Sequence, residues 1–179
     1  QLLERFSKET INRVNEILIV DNASRDRTVQ FAEEYKQKHH LSKIKIVKHS
    51  TNRGYGGNQK YGYNYAIEKG FDIVVMVHGD AQYPPEYILE LIKPIEEGKA
   101  DFVFGSRMAG HPIKGGMPLY KYFGNLFLST LENIVLGTHL TEFHSGFRTY
   151  STKVLKDIPF NKCSNDYHFD SEIIVQLVI

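Results

Sequence analysis

Apolar and polar positions along the chain fall into two alternating rhythms. Short apolar runs of strand length, at Glu16 to Val20, Lys43 to Lys48, Phe71 to Val77 and Asp101 to Gly105, are separated by longer stretches with helical spacing. Those stretches run from about Asp26 to His39, from Asn58 to Lys69, and from Pro84 to Gly98. Gly70 suits the left-handed position that ends the second helix. Pro84 and Pro85 suit the first turn of the third, where Pro94 is expected to kink or shorten the helix and Gly98 to stop it. This alternation predicts an α/β fold with a mainly parallel sheet and helices on both faces, with Phe71 to Val77 as a central buried strand.

After Gly105 the rhythm changes. Ser106 to Pro118 is rich in glycine and proline and reads as a long loop of the kind that carries function. Leu119 to Leu136 has apolar residues at helical spacing and is closed by Gly137, so it predicts a helix whose apolar face packs mostly into the core. Phe147 to Tyr150 reads as a short strand, and Ser151 as the cap of a brief helix through Lys156. Both ends look cut, because Gln1 to Phe6 begins as if inside a helix and Ser171 to Ile179 is an uncapped apolar helical run. The expectation is one domain over residues 1–179, truncated at both ends.

Composition narrows the function classes. With 41% apolar and 24% charged residues the 179-residue chain is an ordinary globular domain. Its 22 basic and 21 acidic residues leave a net charge of +1, which argues against a nucleic-acid binder held by phosphate neutralisation. The single cysteine, Cys163, excludes an internal disulfide and a cysteine-based zinc site, and is compatible with a reducing compartment. No apolar run nears the roughly 20 residues needed to span a bilayer, and the amino terminus carries no signal-peptide pattern. A cytoplasmic domain is expected.

The candidate chemistry sits at strand ends, where open α/β sheets bind ligands. Asp80 follows the central strand in Val77-His78-Gly79-Asp80-Ala81-Gln82-Tyr83-Pro84-Pro85-Glu86, and is placed to hold a cation against a nucleotide's phosphates. A second acidic loop, Asp21-Asn22-Ala23-Ser24-Arg25-Asp26-Arg27-Thr28, follows the first strand. Its Asn, Asp and Ser residues serve equally as turn and cap residues or as a nucleotide contact in which Asp21 accepts hydrogen bonds from base or ribose and Ser24 orients the ligand. The turn from Asn52 to Gly57 lacks both the Walker lysine and the dinucleotide glycine spacing, so Gly54 is either a tight turn or a point of close approach, with Asn52 and Asn58 as nucleotide contacts. His78 either ligates a divalent ion or hydrogen-bonds a phosphate. Arg107, Lys114, Lys121 and Arg148 form a cationic thread in which Arg107 and Arg148 can converge on an anion. Glu142 is a surface acid or a general base.

Together these segments resemble family 2 of the inverting glycosyltransferases with a GT-A fold, particularly its dolichyl- or polyprenyl-phosphate sugar synthases. DNASRDRT from Asp21 and NRGYGGNQKYGYNYA from Asn52 look like the two nucleotide loops, and HGDAQYPPE from His78 like the metal motif. GSRMAGHPIKGG from Gly105 and HSGFRTYS from His144 resemble the segments that meet the acceptor.

The resemblance implies a nucleoside contact at Asp21 with Asn22 and Ser24 beside it, and a donor site reaching His78, Gly79 and Asp80. Mg²⁺ or Mn²⁺ would be held by Asp80 with Gln82, and His78 is a further candidate ligand from its own place at the strand end. An acceptor phosphate or donor diphosphate would be bound by Arg107 and Arg148, with Lys114, Lys121 and Ser145 nearby. The family usually carries an acid where this chain has His78. It also begins with a strand bearing a Pro-x-Tyr-Asn-Glu type segment, absent here, that would lie between the first and third visible strands. The implied activity is metal-dependent transfer of a sugar, with inversion, from a UDP- or GDP-sugar to a polyprenyl phosphate at the cytoplasmic membrane face, or to another acceptor. A phosphate acceptor needs no base, whereas a hydroxyl acceptor needs one, for which Glu142 is the candidate. A noncatalytic nucleotide-sugar binding domain is the alternative; a nucleotidyltransferase lacks its triphosphate loop here.

Overall fold

The computed structural model describes residues 2–110, 112–113 and 116–179. Its elements run α1 (Lys8–Arg13), β1 (Ile17–Asp21), α2 (Thr28–Lys38), β2 (Ile44–Lys48), α3 (Tyr55–Glu68), β3 (Ile73–Met76), α4 (Ile88–Glu96), β4 (Phe102–Phe104), α5 (Leu119–Leu136), β5 (Arg148–Ser151), α6 (Thr152–Asp157) and α7 (Phe169–Val178). Single 3₁₀ turns lie at Leu3–Arg5, Pro85–Tyr87 and Phe160–Lys162, so the amino-terminal segment forms one tight turn in place of the expected helix. Gly98 and Gly137 stop α4 and α5 with φ of 67° and 65°. Pro94 lies in the last turn of α4, where it removes only the bond to Glu90, and the helix ends two residues later.

The strands form two groups. β1 and β2 pair in parallel, with Ile17 opposite Ile44 and Asp21 opposite Lys48. β3 and β4 flank β5, which runs antiparallel to both, with Arg148 opposite Met76 and Phe104. Both pairings of this second sheet are therefore antiparallel, and the parallel pairing is that of β1 with β2. Among the described residues neither β1 nor β2 is hydrogen-bonded to β3, β4 or β5. Helix α3 contacts both β1 and β3 and so joins the two groups.

Strand alternation sorts the core into two layers. Val74, Met76, Phe102 and Tyr150 face a cluster built on Tyr63 of α3, Leu155 of α6 and Phe169 and Ile173 of α7. Ile73, Val75, Val103 and Phe147 face the other way, onto Ile88, Leu91 and Ile92 of α4. Helices thus cover both faces of this sheet. Burying each of these large side chains contributes roughly 1.5–3 kcal/mol.

Helix α5 departs from expectation. Only Ser129 on it is buried, while Phe127 and Ile134 are 70% and 74% exposed. The helical spacing is real, but its apolar residues find no partner layer among the described residues. The core expected of this helix is instead supplied by α3, α4, α6 and α7.

Candidate active site

β1 and β2 end at the same level, and their outgoing loops line an open cleft of about 1050 Å³ bounded by Asn22, Ser24, Arg25, His49 and Asn52. Asp21 closes β1 and is almost fully buried; one carboxylate oxygen accepts from the Ser24 amide at 3.0 Å, which folds the loop back on itself. Asn22 joins the two loops. Its amide donates to Asn52 Oδ1 at 2.8 Å and to the Gly54 carbonyl at 3.1 Å, and its own Oδ1 accepts from the Arg53 amide at 2.8 Å. Asn58, on the first turns of α3, donates to the Val20 carbonyl at 3.2 Å, so it braces β1 from behind. Asn52, Asn58 and Gly54 are thereby brought to the cleft as its frame.

The glycines serve a protein neighbour. Gly54 has φ +78°, and a Cβ there would lie 2.2 Å from the Asn165 carbonyl oxygen; a Cβ on Gly56 would lie 2.6 Å from Phe169 Cβ. The Asn165 carbonyl accepts from the Gly56 and Gly57 amides at 2.9 and 3.3 Å. The start of α3 is therefore already satisfied by the segment before α7, and the expectation that Gly54 approaches a nucleotide is corrected on that ground.

At the end of β3 the chain makes a sharp turn, with Ala81 at φ 61° and Asp80 Oδ1 accepting from the Gln82 amide at 3.0 Å. Gly79, Asp80 and Gln82 are exposed. His78 turns inward: its Nε2 lies 2.9 Å from the Tyr55 hydroxyl, and its ring packs edge-on against Tyr55 and Tyr83. Burial lowers its pKa below the ordinary imidazole value, although Asp80 and Asp170 pull the other way. Gly146 admits the ring, since a Cβ there would stand 2.4 Å from His78 Cε1. Among the described residues no group of three His, Cys, Asp or Glu is arranged to hold a metal. The donors at this turn are one carboxylate, one amide and one imidazole nitrogen, fewer than a cage made of protein alone needs.

The cationic thread separates into unlike roles. Arg107 follows β4, and its Nε donates to Glu142 Oε1 at 2.9 Å, its backbone amide to Oε2 at 2.8 Å, and its Nη2 to Oε1 as well. Burial works against the Arg107 charge, but the Glu142 carboxylate more than offsets it and raises the pKa. Glu142 is fully buried, so it anchors the guanidinium and is poorly placed to take a proton from an acceptor.

Arg148 is 1% exposed and donates to the carbonyls of Ser145, Phe143 and Asp170 at 2.6, 2.7 and 2.7 Å. Burial would lower its pKa, but Tyr150 and Asp170 outweigh that and hold it charged. The expected anion-binding role of Arg148 is corrected: its donors are spent on backbone, and it is a buried clamp. Ser145 is likewise fully buried, its hydroxyl donating to the Gly105 carbonyl, so it does not meet an acceptor. Lys121 is exposed near the start of α5, and Lys114 lies outside the described residues.

Residues that the sequence did not single out complete the arrangement. Tyr55 donates to Asp170 Oδ2 at 2.7 Å, and Gln59 donates to Asp170 Oδ1 at 3.1 Å. Asp170 also lies 3.6 Å from the Arg148 guanidinium. Burial, then Asp170, raises the Tyr55 pKa, so the phenol keeps its proton. His49 borders the cleft with its Nε2 buried and without a partner among the described residues. A tyrosine inside a glycine-rich turn and an acid opening an apolar helix were the available signals.

Two acidic strand-end loops tied together by a glycine-rich helix start define an α/β transferase architecture. The family model described as glycosyl transferase family 2 matches residues 1–159, so the chain belongs to that family, has its GT-A fold and is a glycosyltransferase. Over 187 aligned positions it is 30% identical to the UDP-N-acetylglucosamine–dolichyl-phosphate N-acetylglucosaminyltransferase of Methanococcus voltae, covering 96% of this chain and 74% of that protein. It is 26% identical to the undecaprenyl-phosphate mannosyltransferase of Micrococcus luteus, covering 89% of this chain and 64% of the relative. The low-salt glycan biosynthesis hexosyltransferase Agl6 of Haloferax volcanii is 30% identical over 89% of this chain but only 36% of its own length.

Proposed function

We propose that residues 1–179 form a single catalytic domain that transfers a sugar from a UDP- or GDP-sugar to a polyprenyl phosphate, with inversion at the anomeric carbon. The observation that carries this reading is the bridge made by the start of α3. The Gly54 carbonyl accepts from Asn22 on one side, and the Tyr55 hydroxyl meets His78 on the other, so the two strand-end motifs belong to one site. The cleft beside Asp21 and Asn22 then takes the nucleoside, and the diphosphate extends toward Asp80.

In this reading Asp80, with Gln82 and His78 beside it, would hold Mg²⁺ or Mn²⁺. The ion would act as a Lewis acid on the departing diphosphate. The phosphate oxygen of the acceptor attacks the anomeric carbon from the face opposite the diphosphate; a carbon–oxygen bond forms there as the bond to the diphosphate breaks. A phosphate oxygen is already ionised at neutral pH, so no base is required and Glu142 is assigned to holding Arg107 in place. The 44%-exposed Arg107 side chain is the group best placed to meet the acceptor phosphate, with Lys121 nearer the surface.

A lipid acceptor also accounts for α5. Its exposed face carries Leu119, Tyr120, Phe123, Phe127, Ile134 and Val135, and its only charged residues are Lys121 and Glu132. No helix among the described residues is long and apolar enough to cross a membrane, which leaves α5 suited to lying in a bilayer interface. Two of the relatives are named for dolichyl and undecaprenyl phosphate, which supports the same acceptor class. The testing experiment is a transfer assay of the full-length protein with UDP- and GDP-sugars and polyprenyl phosphate. Radiolabelled sugar should appear in the lipid fraction; donor hydrolysis alone, at the same rate with and without lipid phosphate, would reject the acceptor.

A further inference from the structure

Three observations converge on the His78 ring. The Tyr55 hydroxyl has a single proton, and the carboxylate oxygen of Asp170 at 2.7 Å can only accept it. The same hydroxyl lies 2.9 Å from His78 Nε2, so its oxygen must be the acceptor there and the Nε2 proton must be present. His78 is half-buried, and among the described residues its Nδ1 makes no hydrogen bond, so Nδ1 is the ring nitrogen left for solvent or a ligand.

We propose that Asp170 and Tyr55 are a positioning relay that fixes the neutral His78 imidazole with its proton on Nε2, leaving Nδ1 as a bare lone pair at the end of β3. This rests on the donor-site reading above for what the lone pair meets, but the relay itself does not. A lone pair can ligate a divalent cation and cannot donate to a phosphate oxygen. Of the two roles open to His78 from the sequence, the relay selects the ligand.

The relay is held from several sides. Asp170 Oδ1 is occupied by Gln59 at 3.1 Å and faces Arg148 at 3.6 Å, which keeps Oδ2 turned toward Tyr55. The ring has no room to flip freely, being wedged between Tyr55, Tyr83 and Gly146. A helix near the end of the described chain thereby sets the proton position on a residue two places before Asp80.

Nitrogen-15 NMR of the imidazole rings at pH 8, assigned by loss of one signal in His78→Gln, reads the tautomer directly. Wild-type protein is expected to show Nε2 protonated and Nδ1 bare. In Asp170→Asn the side-chain oxygen stays with Gln59 and Arg148, and the new amide donates to Tyr55. The Tyr55 proton then turns to His78 Nε2, and the tautomer reverses to Nδ1–H.

The reversed protein should bind UDP or GDP in the presence of Mn²⁺ at least tenfold more weakly, with metal-free nucleotide binding unchanged. Tyr55→Phe removes the hydroxyl but keeps the ring, and should give both tautomers even if Asp170→Asn does not fold. A wild-type ring protonated on Nδ1, or an unchanged tautomer in a folded Asp170→Asn protein, overturns the relay. A bare wild-type Nδ1 with no nucleotide bound, with or without Mn²⁺, supports the relay and counts against the donor reading alone.

Discussion

Glu142 receives three hydrogen bonds from Arg107, a residue 35 positions earlier, and is fully buried while the guanidinium is partly open to solvent. The acid is thus the hidden half of a pair whose cation faces outward. Glu142→Gln should weaken two of the contacts and raise the KM for polyprenyl phosphate several-fold, with donor affinity unchanged. Steady-state kinetics with varied lipid separate this from a base role, which would instead collapse kcat at constant KM.

Arg148→Ala removes donors to three carbonyls and leaves Asp170 without its charge partner. Breaking a buried pair of this kind costs about 3–5 kcal/mol. Chemical denaturation should show a loss of that size, or no folded protein at all. A stable Arg148→Ala protein that binds donor but fails only with acceptor would restore the anion-binding role.

The face of α5 is predicted to bind bilayers. Replacing Phe123, Phe127, Ile134 and Val135 together by Ser should reduce sedimentation with phosphatidylglycerol-containing vesicles at least tenfold. Thermal stability should change little, because these side chains are 61–74% exposed, and surface changes of this type stay within about 0.5 kcal/mol each. A shift in oligomeric state on mutation, without loss of vesicle binding, would identify a second copy of the chain as the occupant.

Acid should destabilise the fold through His49. Burial, with Arg53 close by, lowers its folded pKa below the ordinary 6.5. The unfolded state then takes up the proton first, so the stability contributed by neutral His49 is complete above about 6.5 and is lost as pH falls from there to the folded value. Melting temperature measured from pH 7.5 down to 5.5 should fall, and His49→Gln should flatten part of that slope; an identical slope in the mutant would place the effect elsewhere.

Local signals carried much of this fold. Strand-length apolar runs located β1 to β4 within two residues at each end, and Gly137 and Ser151 marked a helix end and a helix cap where the structure has them. The cleft was legible because Asp21 and Asn22 follow a strand directly. What stayed hidden depends on partners far along the chain. Periodicity cannot say whether the apolar face of α5 meets protein or something else. Arg148 is expected from sequence to meet an anion with Ser145 nearby, yet backbone carbonyls absorb both side chains. Gly54 is open in sequence to a tight turn or a close approach, and the segment at Asn165, far along the chain, is what packs against it. The Tyr55, His78 and Asp170 chain joins three elements spread over 115 residues and leaves no local pattern.

Sugar transfer by the full-length protein and its Asp80→Ala variant, assayed with UDP- and GDP-sugars, polyprenyl phosphate and Mn²⁺ or EDTA, tests the central claim most directly. The account predicts a metal-dependent lipid-linked product of inverted anomeric configuration in the wild type. It also predicts loss of at least a thousandfold in Asp80→Ala, with metal-free nucleotide binding retained. Full turnover of the Asp80→Ala protein, or undiminished transfer in EDTA, would contradict it.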